Sequence, residues 1–199
     1  MTTTLVGPAR VVTVAVLGVL VVAAGLVFWR VDGQDATTVP YDDPQSSGLI
    51  TLCSADGDAV TGGSIDDRPF ADLAVGRTAL PSDVDSAGAV ATLFAYQPRE
   101  GVAASEFSGA AITAASALGD PEHPAAPVTA DAWSIGDFVT AYPADDDGYV
   151  QLRLYLGTAQ AGTLSDRSYD TADLRVDGDH WELVRGGTAS CSDAAALVK

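Results

Sequence analysis

A chain of 199 residues with 27 acidic and 10 basic side chains, formal charge −17, is poorly matched to nucleic acid, whose phosphates need Lys and Arg. The same imbalance argues against electrostatic docking on anionic lipid, and its plain consequence is solubility. With no asparagine the chain has no N-glycosylation acceptor, and two cysteines with only His123 and His180 offer little for a zinc site.

The run from Val11 to Trp29 reads VVTVAVLGVLVVAAGLVFW and lies between Arg10 and Arg30 without an internal charge. As a helix rising about 1.5 Å per residue it would span roughly 28 Å, close to the roughly 30 Å hydrocarbon core of a bilayer. The reading is a cytoplasmic tail (1–10), a transmembrane helix (11–29), a flexible acidic linker (30–48) and an extracytoplasmic globular domain (49–196). A cleaved signal peptide is the rival. Such peptides carry a shorter apolar region of about 7–15 residues and a small-x-small cleavage site, and no clean Ala-x-Ala follows here. The Lys/Arg bias across the run is thin, so an N-in, C-out orientation leans on the cysteines as well.

Residues 31–48 hold Pro40, Pro44 and a series of aspartates without apolar periodicity, which reads as a tether. A short strand is predicted over 49–53, with a return over 58–61 after a turn at 54–57. A weaker strand follows at 70–75 and a strong one at 89–96. From Ser105 the residues Phe107, Ala111, Ala114 and Leu118 recur at helical spacing until Gly119 and Pro121. A second helix is predicted where Ser134 and Asp137 form an S-x-x-D start before Phe138, Val139 and Tyr142. The clearest strand is 149–156, with Val150, Leu152, Leu154 and Leu156 on one face and Tyr149, Gln151, Arg153 and Tyr155 on the other. Strands over 169–176 and 180–184 close the chain through Asp177-Gly178, a hairpin signal. The expected fold is α+β, a mainly antiparallel sheet with two short helices; an all-β sandwich is the alternative.

Cys53 and Cys191 stand near the two ends of the predicted domain. In an exported protein such a pair is expected to form a disulfide, for which chain entropy suggests about 5 kcal/mol at most. Two free thiols in a cytoplasmic domain is the competing reading. Catalytic patterns are weak. There is no G-x-S-x-G elbow, P-loop or dinucleotide fingerprint, and neither histidine sits in a motif. Asp145-Asp146-Asp147-Gly148 fails the EF-hand pattern because the twelfth position is Leu156, so a solvated turn is expected. No cofactor or metal is expected.

The segments Tyr149-Val150-Gln151-Leu152-Arg153-Leu154 and Val176-Asp177-Gly178-Asp179-His180-Trp181-Glu182-Leu183-Val184 resemble the closing strands of uncharacterised single-pass actinobacterial membrane proteins, some of which accompany conjugation or secretion systems. That resemblance covers the last third of the chain. It implies an extracytoplasmic accessory domain and brings no catalytic residues with it.

Tyr and Arg are enriched at interface hot spots. The polar strand face of Tyr149, Gln151, Arg153 and Tyr155, extended by Tyr96, Gln97 and Arg99, is therefore the candidate binding surface, set against a layer covered by the helices. The expected function is a non-enzymatic, membrane-anchored binding or accessory protein of the envelope with a protein partner. A small cell-wall or carbohydrate-active hydrolase using paired carboxylates is the alternative.

Overall fold

Alternation of apolar and polar residues dictates the long strands, and the computed structural model, which describes residues 38–145 and 147–192, forms thirteen regular elements besides one 3-10 turn. In chain order they are β1 (Ser46–Leu49), β2 (Thr51–Cys53), β3 (Gly62–Ser64), β4 (Leu73–Val75), β5 (Ala89–Gln97), β6 (Ser108–Ala111), β7 (Ser116–Ala117) and β8 (Ala125–Pro127). Then come α1 (Ile135–Ala141), β9 (Tyr149–Thr158), β10 (Gly162–Thr163), β11 (Tyr169–Asp177) and β12 (His180–Arg185). The larger sheet has nine strands along the path β3-β12-β11-β9-β5-β6, with β1 on β11, β10 on β9 and β7 on β5. A smaller sheet runs β2-β4-β8. All pairings are antiparallel except β1 with β11.

The α+β expectation is thereby corrected to an all-β fold with one short helix and a 3-10 turn at Ala104–Glu106. The helix expected from Ser105 is replaced by that turn, β6 and β7. Two of the four residues in its helical periodicity, Ala111 and Ala114, are alanines, which fit either structure. Pairing with β5 decides the matter: Ser108–Ala111 lies against residues Phe94 to Gln97. Gly109 sits opposite Tyr96, where a Cβ would come within 2.3 Å of the Ala95 carbonyl, so the two backbones approach closely. The second predicted helix is α1, and its start is a capping box. The Asp137 amide donates to Ser134 Oγ at 3.1 Å, and the Ser134 amide donates to Asp137 Oδ2 at 2.8 Å.

No helix among the described residues is long and apolar enough to cross a membrane. The run 11–29 lies outside them. The tether expected over 30–48 is also revised in its second half. Val39 and Asp43 are buried, Tyr41 is half-buried and β1 begins at Ser46, so the folded domain starts well before residue 49. The strand expected over 49–53 divides at Ile50, where the chain passes from the larger sheet to the smaller one.

One core lies between the sheets. Leu93, Val150, Leu152, Leu154, Ala172 and Leu174 of the larger sheet meet Leu52, Ala74 and Ala126 of the smaller, with Ile135 and Phe138 of α1 joining them. The hairpin β11–β12 turns through Gly178-Asp179, with Gly178 at φ 60°, as a two-residue loop with glycine first requires. The chain turns into β9 at Asp147 and Gly148, which both take left-handed φ, 51° and 79°. The smaller sheet keeps a second apolar cluster on its outer side, Cys53, Leu73, Val75 and Ala125. Residues 189–191 cross it, and Ala189 and Cys191 pack there.

Candidate functional site

The alternation read along β9 is correct, but its polar face is interior. Gln151, Arg153 and Tyr155 are buried and Tyr149 is half-buried. Register brings Tyr96 opposite Gln151 and Phe94 opposite Arg153 on one side, and Thr171 opposite Arg153 and Asp173 opposite Gln151 on the other. The cover is the N-terminal arm and the 3-10 turn, elements to which the sequence pattern assigned a tether and a helix. Arg153 Nη2 donates to the Ala104 carbonyl at 2.8 Å and lies 3.5 Å from the Asp43 carboxylate. Its Nε donates to Gln151 Oε1 at 2.6 Å. The guanidinium sits 4.0 Å from the Tyr96 ring centroid and 4.9 Å from that of Tyr169.

The polar layer holds two sets of bonds, and Gln151 Nε2 and Arg185 Nη2 are buried there without a partner among the described residues. Tyr169 donates to Asp43 at 3.0 Å, Tyr41 donates to Asp173 at 2.5 Å, and Arg185 Nε donates to Asp173 at 2.6 Å. Burial, aided by the neighbouring carboxylates, raises the phenols of Tyr41 and Tyr169 well above the ordinary tyrosine range, so both remain donors. Burial also raises the Tyr96 phenol. The Asp173 carboxyl is pushed upward by burial, with Arg185 opposing. These groups therefore form a second, polar core between the sheet and the arm. Of the seven residues of the candidate binding face, Arg99 alone is exposed, and it donates to the Glu106 carbonyl at 2.9 Å; Gln97 is half-buried and bonds the Pro143 carbonyl.

Cys53 and Cys191 form the expected disulfide, with Cα atoms 5.5 Å apart. It staples the C-terminal segment across the smaller sheet. Beside that segment lies a recess of about 690 Å³, lined by Val75, Gly76, Arg77, Asp120, His123, Thr188, Ala189 and Ser190. A second recess of about 430 Å³, at Ser47, Gly48, Leu49, Thr78, Gly186 and Gly187, shares Arg77 and Thr188 with the first. His123 is exposed there and its Nδ1 pairs with Asp120 at 3.0 Å. That bond holds the Asp120 carboxyl below the usual range. His180 is likewise exposed and pairs with Asp179 at 2.6 Å.

Sequence reasoning missed Arg77, Thr188 and Ser190. Arg77 follows a weak strand in a stretch without periodicity, and only the chain's path brings it to residues more than a hundred positions away. A signal was present in Gly76: a Cβ there would lie 2.5 Å from the Asp170 carboxylate, so the glycine marks a close approach. Comparisons with protein families, with curated proteins and with solved structures return no match.

Proposed function

We propose that the protein is a membrane-anchored, extracytoplasmic binding or accessory protein of the cell envelope, its N-terminus cytoplasmic and its folded domain outside. The observation that carries this reading is the Cys53–Cys191 disulfide, which joins the start of the smaller sheet to the end of the described chain. Such bonds persist in oxidising compartments. The apolar run from Val11 to Trp29 would supply the attachment, and the resemblance in the last third points to an assembly of the secretion or conjugation kind. The burial of the Tyr/Arg strand face moves the proposed ligand surface to the groove around Arg77.

The hydrolase reading has less support. A glycosidase presents two carboxyl groups to its substrate. Here the buried carboxylates are taken: Asp43 by Tyr169 and Arg153, Asp173 by Tyr41 and Arg185, and Asp170 by the amides of Arg77 and Thr78. The test is topological. In cells with a permeable outer layer, added protease is expected to digest everything beyond Arg30, and non-reducing mass spectrometry to find the Cys53 and Cys191 peptides linked. A protected domain, or two alkylatable thiols in the native protein, overturns the reading.

A further inference from the structure

Among the described residues, five of the seven arginines are engaged: Arg68 with Asp137, Arg153 with Asp43, Arg167 with Asp83, Arg185 with Asp173, and Arg99 with the Glu106 carbonyl. Arg175 makes no such bond, but Asp177 and Glu182 line the recess it shares with them. Arg77 is different. It is exposed, its guanidinium bonds to no described residue, and the one acidic side chain lining its recess, Asp120, is bound to His123. In a chain of charge −17 an exposed arginine whose guanidinium has no carboxylate partner among the described residues is unusual.

The loop carrying it is built to hold it in place. The amides of Arg77 and Thr78 both donate to the buried Asp170 carboxylate, at 2.5 and 2.8 Å, and Thr78 Oγ1 donates to it as well. The Gly76 amide is tied to the Pro124 carbonyl at 2.7 Å. The segment 187–190, without regular structure, lines the recess beside Arg77 through Thr188, Ala189 and Ser190. The amides of Gly187 and Ala189 bond inward, to the Ile50 carbonyl and Thr51 Oγ1, whereas those of Thr188 and Ser190 have no partner among the described residues. The groove thus offers one fork-shaped cation, the Thr188 hydroxyl, two amides without a partner among the described residues, and a small apolar floor at Val75 and Ala189, while the Ser190 hydroxyl pairs with that of Ser192 at 2.8 Å. Its volume suits a ligand of a few residues.

We infer that this groove binds the terminal carboxylate of an extended peptide ending in small apolar residues, with Arg77 as the anchoring cation. A guanidinium matches the two oxygens of a carboxylate in one plane, the donors of the 188–190 segment meet the backbone beside it, and the floor admits methyl-sized side chains. The inference rests on the domain being a binding module, and adds its ligand class.

The test uses the full-length chain and acetyl-alanyl-alanine as the free acid, with its C-terminal amide and inorganic phosphate as separate arms, followed by calorimetry or backbone NMR shifts. The free acid is expected to bind saturably, with shifts centred on residues 76–78 and 188–190, and the amide to bind at least about tenfold more weakly. Arg77→Gln is expected to abolish the preference for the acid while leaving the melting curve unchanged; Arg77→Lys keeps part of it, and Arg175→Gln keeps all of it. Equal binding of acid and amide, an unaffected Arg77→Gln, or no saturation by about 10 mM overturns the proposal. Binding of phosphate in preference to the acid overturns the peptide assignment. The protease and disulfide results are read separately, so an exported, disulfide-closed domain that ignores the dipeptide refutes the groove and leaves the envelope assignment standing.

Discussion

Arg153→Ala tests whether the polar layer is part of the fold. The arginine and Asp43 are almost entirely inside, and the guanidinium is held by the Ala104 carbonyl, the Gln151 amide oxygen and the faces of Tyr96 and Tyr169. Removing one partner of such a pair leaves the other charge buried and uncompensated, which costs about 3–5 kcal/mol. At about 2–4 °C per kcal/mol for a domain of this size, the melting midpoint falls by roughly 6–20 °C. Asp43→Asn is expected to act similarly, because it leaves the guanidinium without its counter-charge. The pair Arg153→Met with Asp43→Leu removes both charges and keeps apolar volume, so its loss is much smaller than the sum of the two single changes. Denaturant melts of the wild type, Arg153→Met, Asp43→Leu and the double variant form the cycle. A loss below about 1 kcal/mol for Arg153→Ala, or strictly additive changes, would refute the idea of a structural layer and return Arg153 to the surface role that its residue type suggests.

Replacing both cysteines by serine is expected to cost about 2–5 kcal/mol, read as a lower midpoint in denaturant, and an unchanged midpoint would mean that the staple constrains nothing. Gly48→Ala drives a Cβ to 2.2 Å from the Asp170 carboxylate, so a loss of about 1–3 kcal/mol is expected in a thermal melt, with neutrality counting against the packing. Ser134→Ala removes the acceptor for the Asp137 amide and is expected to cost about 1 kcal/mol. Two carboxyl groups carry opposite pH signs. Burial raises Asp173, so its contribution is full below the ordinary aspartate value and is lost as pH rises through the raised one. The Ser134 amide and Arg68 lower Asp137, so its contribution is present above the ordinary value and is lost as pH falls through the lowered one. Carbon-detected carboxyl titrations check both, and an Asp173 midpoint at or below that of Asp137 reverses the assignment.

The long strands were legible because a period of two is hard to mistake. β5, β9 and the β11–β12 hairpin fall within two residues of their predicted bounds, and the apolar set Val150, Leu152 and Leu154 faces the core as read. The disulfide was legible from two cysteines at opposite ends of the predicted domain, and α1 from its cap. The region 104–118 misled because alanine and glycine carry little directional information, so a non-local partner, β5, settled its structure.

The harder case is the polar face of β9. A face of Tyr, Gln, Arg and Tyr has the composition of a surface, and periodicity reports which residues share a face without saying what covers it. What covers it here is polar too. Asp43 and Tyr41 reach it from a stretch rich in proline and aspartate, where low hydrophobicity reads as a tether. Those two side chains are valuable as partners: Asp43 matches the charge of Arg153, and Tyr41 supplies a donor to Asp173. Neither match is visible until the register of β9 and β11 brings Arg153 and Asp173 onto one face. The same reasoning locates the groove. Arg77 belongs to a loop fixed by Asp170, a buried aspartate of β11, so a cation without a side-chain partner among the described residues is positioned by the strand that also carries Asp173. A single strand thus ties the interior charge pairs to the proposed ligand site. A substitution such as Asp170→Asn is therefore expected to weaken dipeptide binding while sparing the Arg153–Asp43 pair on the opposite face of the sheet, which a normal melting contribution from Arg153→Ala in that background would show.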